Sequence, residues 1–171
     1  TIDWGATLRE RGPRFGVARP VRRETVADHE GLEVELWQPR SEIYLDVSGS
    51  MPDPREAENA MTLAAIILAL GTLRAGGAAR ALLYSHTHTK SWRWCRSLRE
   101  LSGFMLKYVG GGTEFPFDVL TESVDECRDK QPIRLVLTDR DVDFNVGKRR
   151  DTESVLGHAS GAGAGFVLVL A

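Results

Sequence analysis

A chain of 171 residues, 42% hydrophobic and 27% charged, is long enough for one domain with a sizeable core. Its formal net charge of −2 gives no global field that would draw nucleic acid or an anionic membrane. No apolar run approaches the roughly 20 residues of a membrane-spanning helix.

The start, TIDWGATLRERG, lacks the charged-then-apolar pattern of a signal peptide and has no initiator methionine, as expected of a processed or excised piece. Residues 1–40 read as an N-terminal arm. Its early arginines (Arg9, Arg11, Arg14, Arg19, Arg22, Arg23) have no aromatic rhythm among them, which favours a solvated or partner-facing segment over a nucleic-acid contact. LEVELW, residues 32–37, alternates, and Pro39 limits it to an edge strand. Residues 41–171 read as the domain proper, with a final helix expected to be lacking.

From Glu42 the pattern is regular. EIYLDV predicts a buried strand, and residues 54–74 predict a helix whose apolar stripe is broad enough for burial on several sides. RALLYSHTHTKSW suits one or two strands, with Tyr84, His86 and His88 on one face. Residues 97–109 and 115–129 predict two helices with GGG between them, and IRLVLTD predicts a second strongly apolar strand. A weakly helical stretch, 146–159, leads to a last strand, GFVLVLA. Such alternation implies an α/β domain with a mostly parallel sheet and helices on both faces. Ligands of such sheets bind beyond the carboxyl ends of the strands. Two strands end there in aspartate, at Asp46 and Asp139.

The loop after the first strand, DVSGSM, offers one carboxylate and two hydroxyls around a glycine. Thr113, after the glycines of GGGTEF, adds a hydroxyl, and Asp139 adds a carboxylate. Five hard oxygen donors from three loops suit Mg²⁺, which takes six oxygens and keeps several waters. Zinc would favour His and Cys.

DVSGSM after an apolar strand, a threonine in a glycine-rich loop and an aspartate ending a later strand resemble the metal-ion-dependent adhesion site of von Willebrand factor A domains. The resemblance covers roughly residues 42–171. It implies a Rossmann-like sheet with Mg²⁺ (or Mn²⁺) at its rim, completed by a carboxylate from a protein partner. It also implies that Asp46, Ser48, Ser50, Thr113 and Asp139 form the metal set, with the aspartates often acting through water. YLDVSGSMPDPR, AMTLAA and GGGTEFPF look like bacterial intracellular A-domain proteins that work beside MoxR-type AAA+ ATPases, which implies a cytoplasmic adaptor rather than an enzyme. Where the family commonly has glycine after the third-motif aspartate, this chain reads TDRDVD, so Asp141 is an alternative to Asp139. Specificity is expected from residues 52–55, 86–90, 114–117 and 140–145.

Other chemistries fit less well. VSGSM is not the G-x-S-x-G elbow of a serine nucleophile, although His86 or His88 would serve as base. No Gly-Lys-Ser/Thr follows for a phosphate cradle. His86, His88 and Cys95 lack a fourth zinc ligand, and Cys95 and Cys127 read as reduced thiols of a cytoplasmic protein. Trp92 and Trp94 alternate, either as packing beneath the arm or as a partner patch. A metal-dependent hydrolase and a structural domain with a vestigial site are the alternative functions.

Overall fold

The computed structural model describes residues 38–127, 129–139 and 152–170. The strand expected at residues 32–37, the alternative ligand Asp141 and the loop 140–145 lie outside these. The described elements, in order, are β1 (Arg40–Asp46), α1 (Ala60–Arg74), β2 (Ala78–Tyr84), β3 (His88–Cys95), α2 (Leu98–Met105), α3 (Phe117–Glu126), β4 (Ile133–Thr138), α4 (Thr152–Gly161) and β5 (Gly165–Leu170).

The strands form one sheet in the order β3-β2-β1-β4-β5. All neighbours pair in parallel except β2 and β3, which form a hairpin. The expected α/β architecture is therefore present, with β1 at the centre of the sheet. The chain leaves β1 toward β2 on one side, while β4 joins it on the other. That reversal opens a crevice at the carboxyl ends of β1 and β4, the usual ligand position in such sheets.

Side chains alternate across the sheet even where both faces are buried. Ile43, Leu45 and Val47 join Ala81, Leu83, Leu135 and Leu137 in one core, covered by Met61, Ala65 and Ala69 of α1 and Leu101 and Met105 of α2. Tyr44, Leu82, Tyr84 and Val136 face the other way, under Val119, Leu120 and Val124 of α3 and Ala159 of α4. Helices thus cover both faces.

Two expectations about α1 are corrected. It begins at Ala60 rather than at Pro54. Residues 53–57 are held as a turn, with the Arg55 and Ala57 amides donating to the Asp53 side chain and carbonyl (2.9 Å each). Asn59 then caps the helix by accepting from the Thr62 amide (2.9 Å) and donating to the Pro52 carbonyl (2.7 Å). Nor is α1 buried on several sides: its buried residues, Met61, Thr62, Ala65, Ala69 and Thr72, lie on one face, and Leu63 and Ile67, one turn apart, are 49% and 57% exposed.

The hairpin corrects a third expectation. Residues 85–87 form the turn between β2 and β3, so His86 and His88 do not continue the face of Tyr84. Tyr84 is buried and pairs across the hairpin with His88, which is exposed, as is His86. Trp94, half-buried on β3, lies against the guanidinium groups of Arg80 (4.7 Å) and Arg40 (5.6 Å). Cys95 and Cys127 are free.

Candidate metal centre

Three adjacent parallel strands put matching positions side by side on the α3/α4 face. The register pairs Glu42 with Arg80 and Arg134, and Tyr44 with Leu82 and Val136. It also pairs Asp46 with Tyr84, and Thr138 of β4 lies on the other side of Asp46. The face thus carries a charged row at the start of the strands, an apolar row in the middle and a polar row at the carboxyl ends.

Asp46 is the centre of the polar row and has no solvent exposure. Its Oδ1 accepts from the Ser48 amide (2.9 Å) and its Oδ2 from the Thr138 hydroxyl (2.7 Å). Both carboxylate oxygens are therefore fixed by short bonds to β1's own loop and to β4. A carboxylate held this way has little freedom to swing, which suits a ligand oriented before its cation arrives.

The loop beyond β1 is tied to its neighbours by backbone. The Val47 amide donates to the Tyr84 carbonyl (2.9 Å), the Gly110 amide to the Val47 carbonyl (2.9 Å) and the Gly49 amide to the Gly111 carbonyl (2.7 Å). The Glu114 amide donates to the Ser85 carbonyl (2.9 Å), so the β2–β3 turn also holds the loop on the far side of Thr113. Gly110 and Gly111 have φ of +72° and +86°, conformations that side chains disfavour. A Cβ on Gly111 would also fall 2.2 Å from Nδ1 of His86. The glycine run is therefore needed for the loop's path and for its approach to the turn.

This stitching brings Ser48, Ser50 and Thr113 to the end of β1, and Asp139 follows the Thr138 that bonds Asp46. Ser48 is buried and Ser50 exposed, their hydroxyl oxygens 3.1 Å apart. Thr113 is half-buried on the loop bonded to residues 47–49, and Asp139 is half-buried directly after β4. Octahedral Mg²⁺ with bonds of about 2.0–2.1 Å puts neighbouring ligand oxygens about 3.0 Å apart. The Ser48–Ser50 spacing matches that edge, and the donor set is hard oxygen throughout. On both counts the residues fit a small divalent cation. Among the described residues, no three or more His, Cys, Asp or Glu side chains cluster to hold a metal, so the zinc reading of His86, His88 and Cys95 has no cluster behind it.

Two members of the site went unmarked in the sequence reading. Thr138, which clamps Asp46, and Tyr84, beside it on β2, both sit at strand ends on the face of Asp46. The signal was a period of two: from Glu42 onward, Glu42, Tyr44 and Asp46 interrupt an apolar strand on one face only. Tyr84 is buried, and its ionisation is pushed well up, first by burial and then by the negative charges of Asp46 and Asp139. Thr138 lies near enough to offset part of that push, yet Tyr84 Oη makes no hydrogen bond of normal geometry among the described residues.

The charged row has its own chemistry. Glu42 Oε1 accepts from Arg80 (3.1 Å) and from the Tyr44 hydroxyl (3.1 Å), and Glu42 Oε2 from Ser123 Oγ (2.6 Å). Arg134 Nε lies 3.3 Å from Glu42 Oε2, and the three charged side chains are at most 1% exposed. Burial and then the charge of Glu42 raise the Tyr44 ionisation. Burial likewise pushes the Cys127 thiol up, so it is not an activated nucleophile.

No family model matches the chain, and no curated protein sequence matches it. Solved structures do. The chain is similar to a von Willebrand factor type A protein from Catenulispora acidiphila, with TM-score 0.51 and 13% identity, over 78% of this chain and 32% of that one. It is also similar to an aerotolerance-related membrane protein from Bacteroides fragilis, with TM-score 0.50 and 11% identity, over 77% and 66% of the two chains. The chain spans about a third of the first protein's length and just under two thirds of the second's. At these identities the likeness concerns the fold. Taken with the β3-β2-β1-β4-β5 order and the helices on both faces, it gives this chain the fold of a von Willebrand factor A-type domain.

Proposed function

We propose that this domain is a metal-dependent protein-recognition module whose cation site is formed by Asp46, Ser48, Ser50, Thr113 and Asp139. The observation that carries this reading is the backbone stitching of residues 47–49 to Gly110 and Gly111, which brings the Ser48–Ser50 pair and the Thr113 loop to the end of the strand bearing Asp46. Bound there, Mg²⁺ (or Mn²⁺) supplies a positive centre with a position open to an anionic oxygen. Asp46 and Asp139 provide the balancing charge, and the hydroxyls provide neutral donors, so the cation keeps enough positive character to attract a carboxylate on a partner protein. His86, exposed beside the threonine loop, is a side chain suited to an acidic partner surface.

The partner in this reading is a MoxR-type AAA+ ATPase, and the setting is the cytoplasm, with which the two free cysteines agree. Among the described residues no helix is long and apolar enough to cross a membrane.

Calorimetric titration with Mg²⁺ tests the site. Asp46→Asn keeps the shape of the clamp and removes the charge, while Thr113→Ala removes one hydroxyl. Each is expected to weaken Mg²⁺ binding by about tenfold or more and to lose capture of the ATPase in Mg²⁺ to the level seen in EDTA. Unchanged Mg²⁺ affinity in both variants sinks the proposal.

A further inference from the structure

Tyr84 is the long side chain of the polar row, fully buried, with its ring fixed edge-on to Phe115 at 5.3 Å. That packing serves a phenylalanine equally well. The hydroxyl adds a cost, because a buried polar atom without a partner forfeits its hydrogen bonds to water. Tyr84 Oη makes no hydrogen bond of normal geometry among the described residues, with only Thr138 near it, whereas the other tyrosine on this face, Tyr44, donates to Glu42 Oε1 at 3.1 Å. Tyr84 stands directly beside Asp46 in register, with Thr138 on the far side of that carboxylate and Asp139 next in the chain. A buried water needs two to four polar partners, and this corner supplies them.

Resting on the cation reading above, we infer that Tyr84 is a positioning residue of the metal site, its hydroxyl donating a hydrogen bond to a water that in turn donates to Asp46 and Asp139. A water held from below has its orientation set before the cation binds.

The test uses the 171-residue chain and two measurements, Mg²⁺ affinity by calorimetry and the melting temperature in EDTA. Tyr84→Phe is expected to weaken Mg²⁺ binding about tenfold, the scale of lost outer-layer partners, while its melting temperature in EDTA stays level or rises. Tyr44→Phe is the contrast, with a lower melting temperature and wild-type Mg²⁺ affinity. Tyr84→Phe with wild-type Mg²⁺ affinity overturns the inference, whatever its stability. Wild-type protein that binds no Mg²⁺ overturns the cation reading, and this inference with it.

Discussion

At the scale of single residues, Gly111 decides how closely the threonine loop approaches the turn that carries His86. Any other residue there meets two obstacles, a φ of +86° and an imidazole nitrogen 2.2 Å from the added Cβ. His86 is exposed and can rotate away, so the backbone conformation dominates the cost, at about 1–2 kcal/mol. Gly111→Ala is expected to lose about that much stability in urea and to bind Mg²⁺ more weakly, because the Gly49–Gly111 bond that positions the loop is disturbed. Gly112 has ordinary φ and open space around its Cα. Gly112→Ala is therefore expected to match wild type in both measurements. Equal effects at the two positions would show that loop flexibility, not the path at Gly111, matters.

At the scale of elements, the row Arg80–Glu42–Arg134 ties β2, β1 and β4 together at the end opposite the site. Glu42 is the only carboxylate in that row, and Glu126 reaches Arg80 from the half-exposed edge (3.2 Å). Removing Glu42 leaves two guanidinium groups buried against each other's field, which costs about 3–5 kcal/mol when one partner of a buried pair is lost. Glu42→Ala is expected to lower the denaturation midpoint by an amount in that range, and a loss below 1 kcal/mol would show that Ser123 and the Ala159 carbonyl suffice to hold the arginines. The strand sequences displayed this arrangement in part. EIYLDV places polar groups at alternate positions, and ARALLY and RLVLT place them at the two ends of the same face, but in strands buried on both faces the apolar run masks the period of two. Only the register, which is a property of pairing, shows that the polar positions line up.

At the scale of the whole molecule, the alternation of strands and helices made the fold class legible, and aspartates ending two apolar runs made the rim legible. Tertiary context set the rest. The cap at Asn59 moved the start of α1 past a prolyl turn that looked helical, and a tight turn at residues 85–87 took His86 and His88 off the face of Tyr84. Thr138 stayed hidden because its partner is 92 residues away.

That separation gives the site a place in time as well as in space. The Asp46 clamp closes only when β4 docks beside β1, and contacts so distant in sequence form slowly because a long loop must close first. The site is accordingly absent from partly folded chains that hold β1 and β2 alone. Stopped-flow refolding with and without Mg²⁺ is expected to show the same folding rate and a slower unfolding rate, the pattern of an interaction made after the transition state. A folding rate that rises with Mg²⁺ would place the clamp in the nucleus instead. In the proposed reading, a cation read only by the finished sheet would make partner capture a proofreading step, one that a chain without β4 in place would fail.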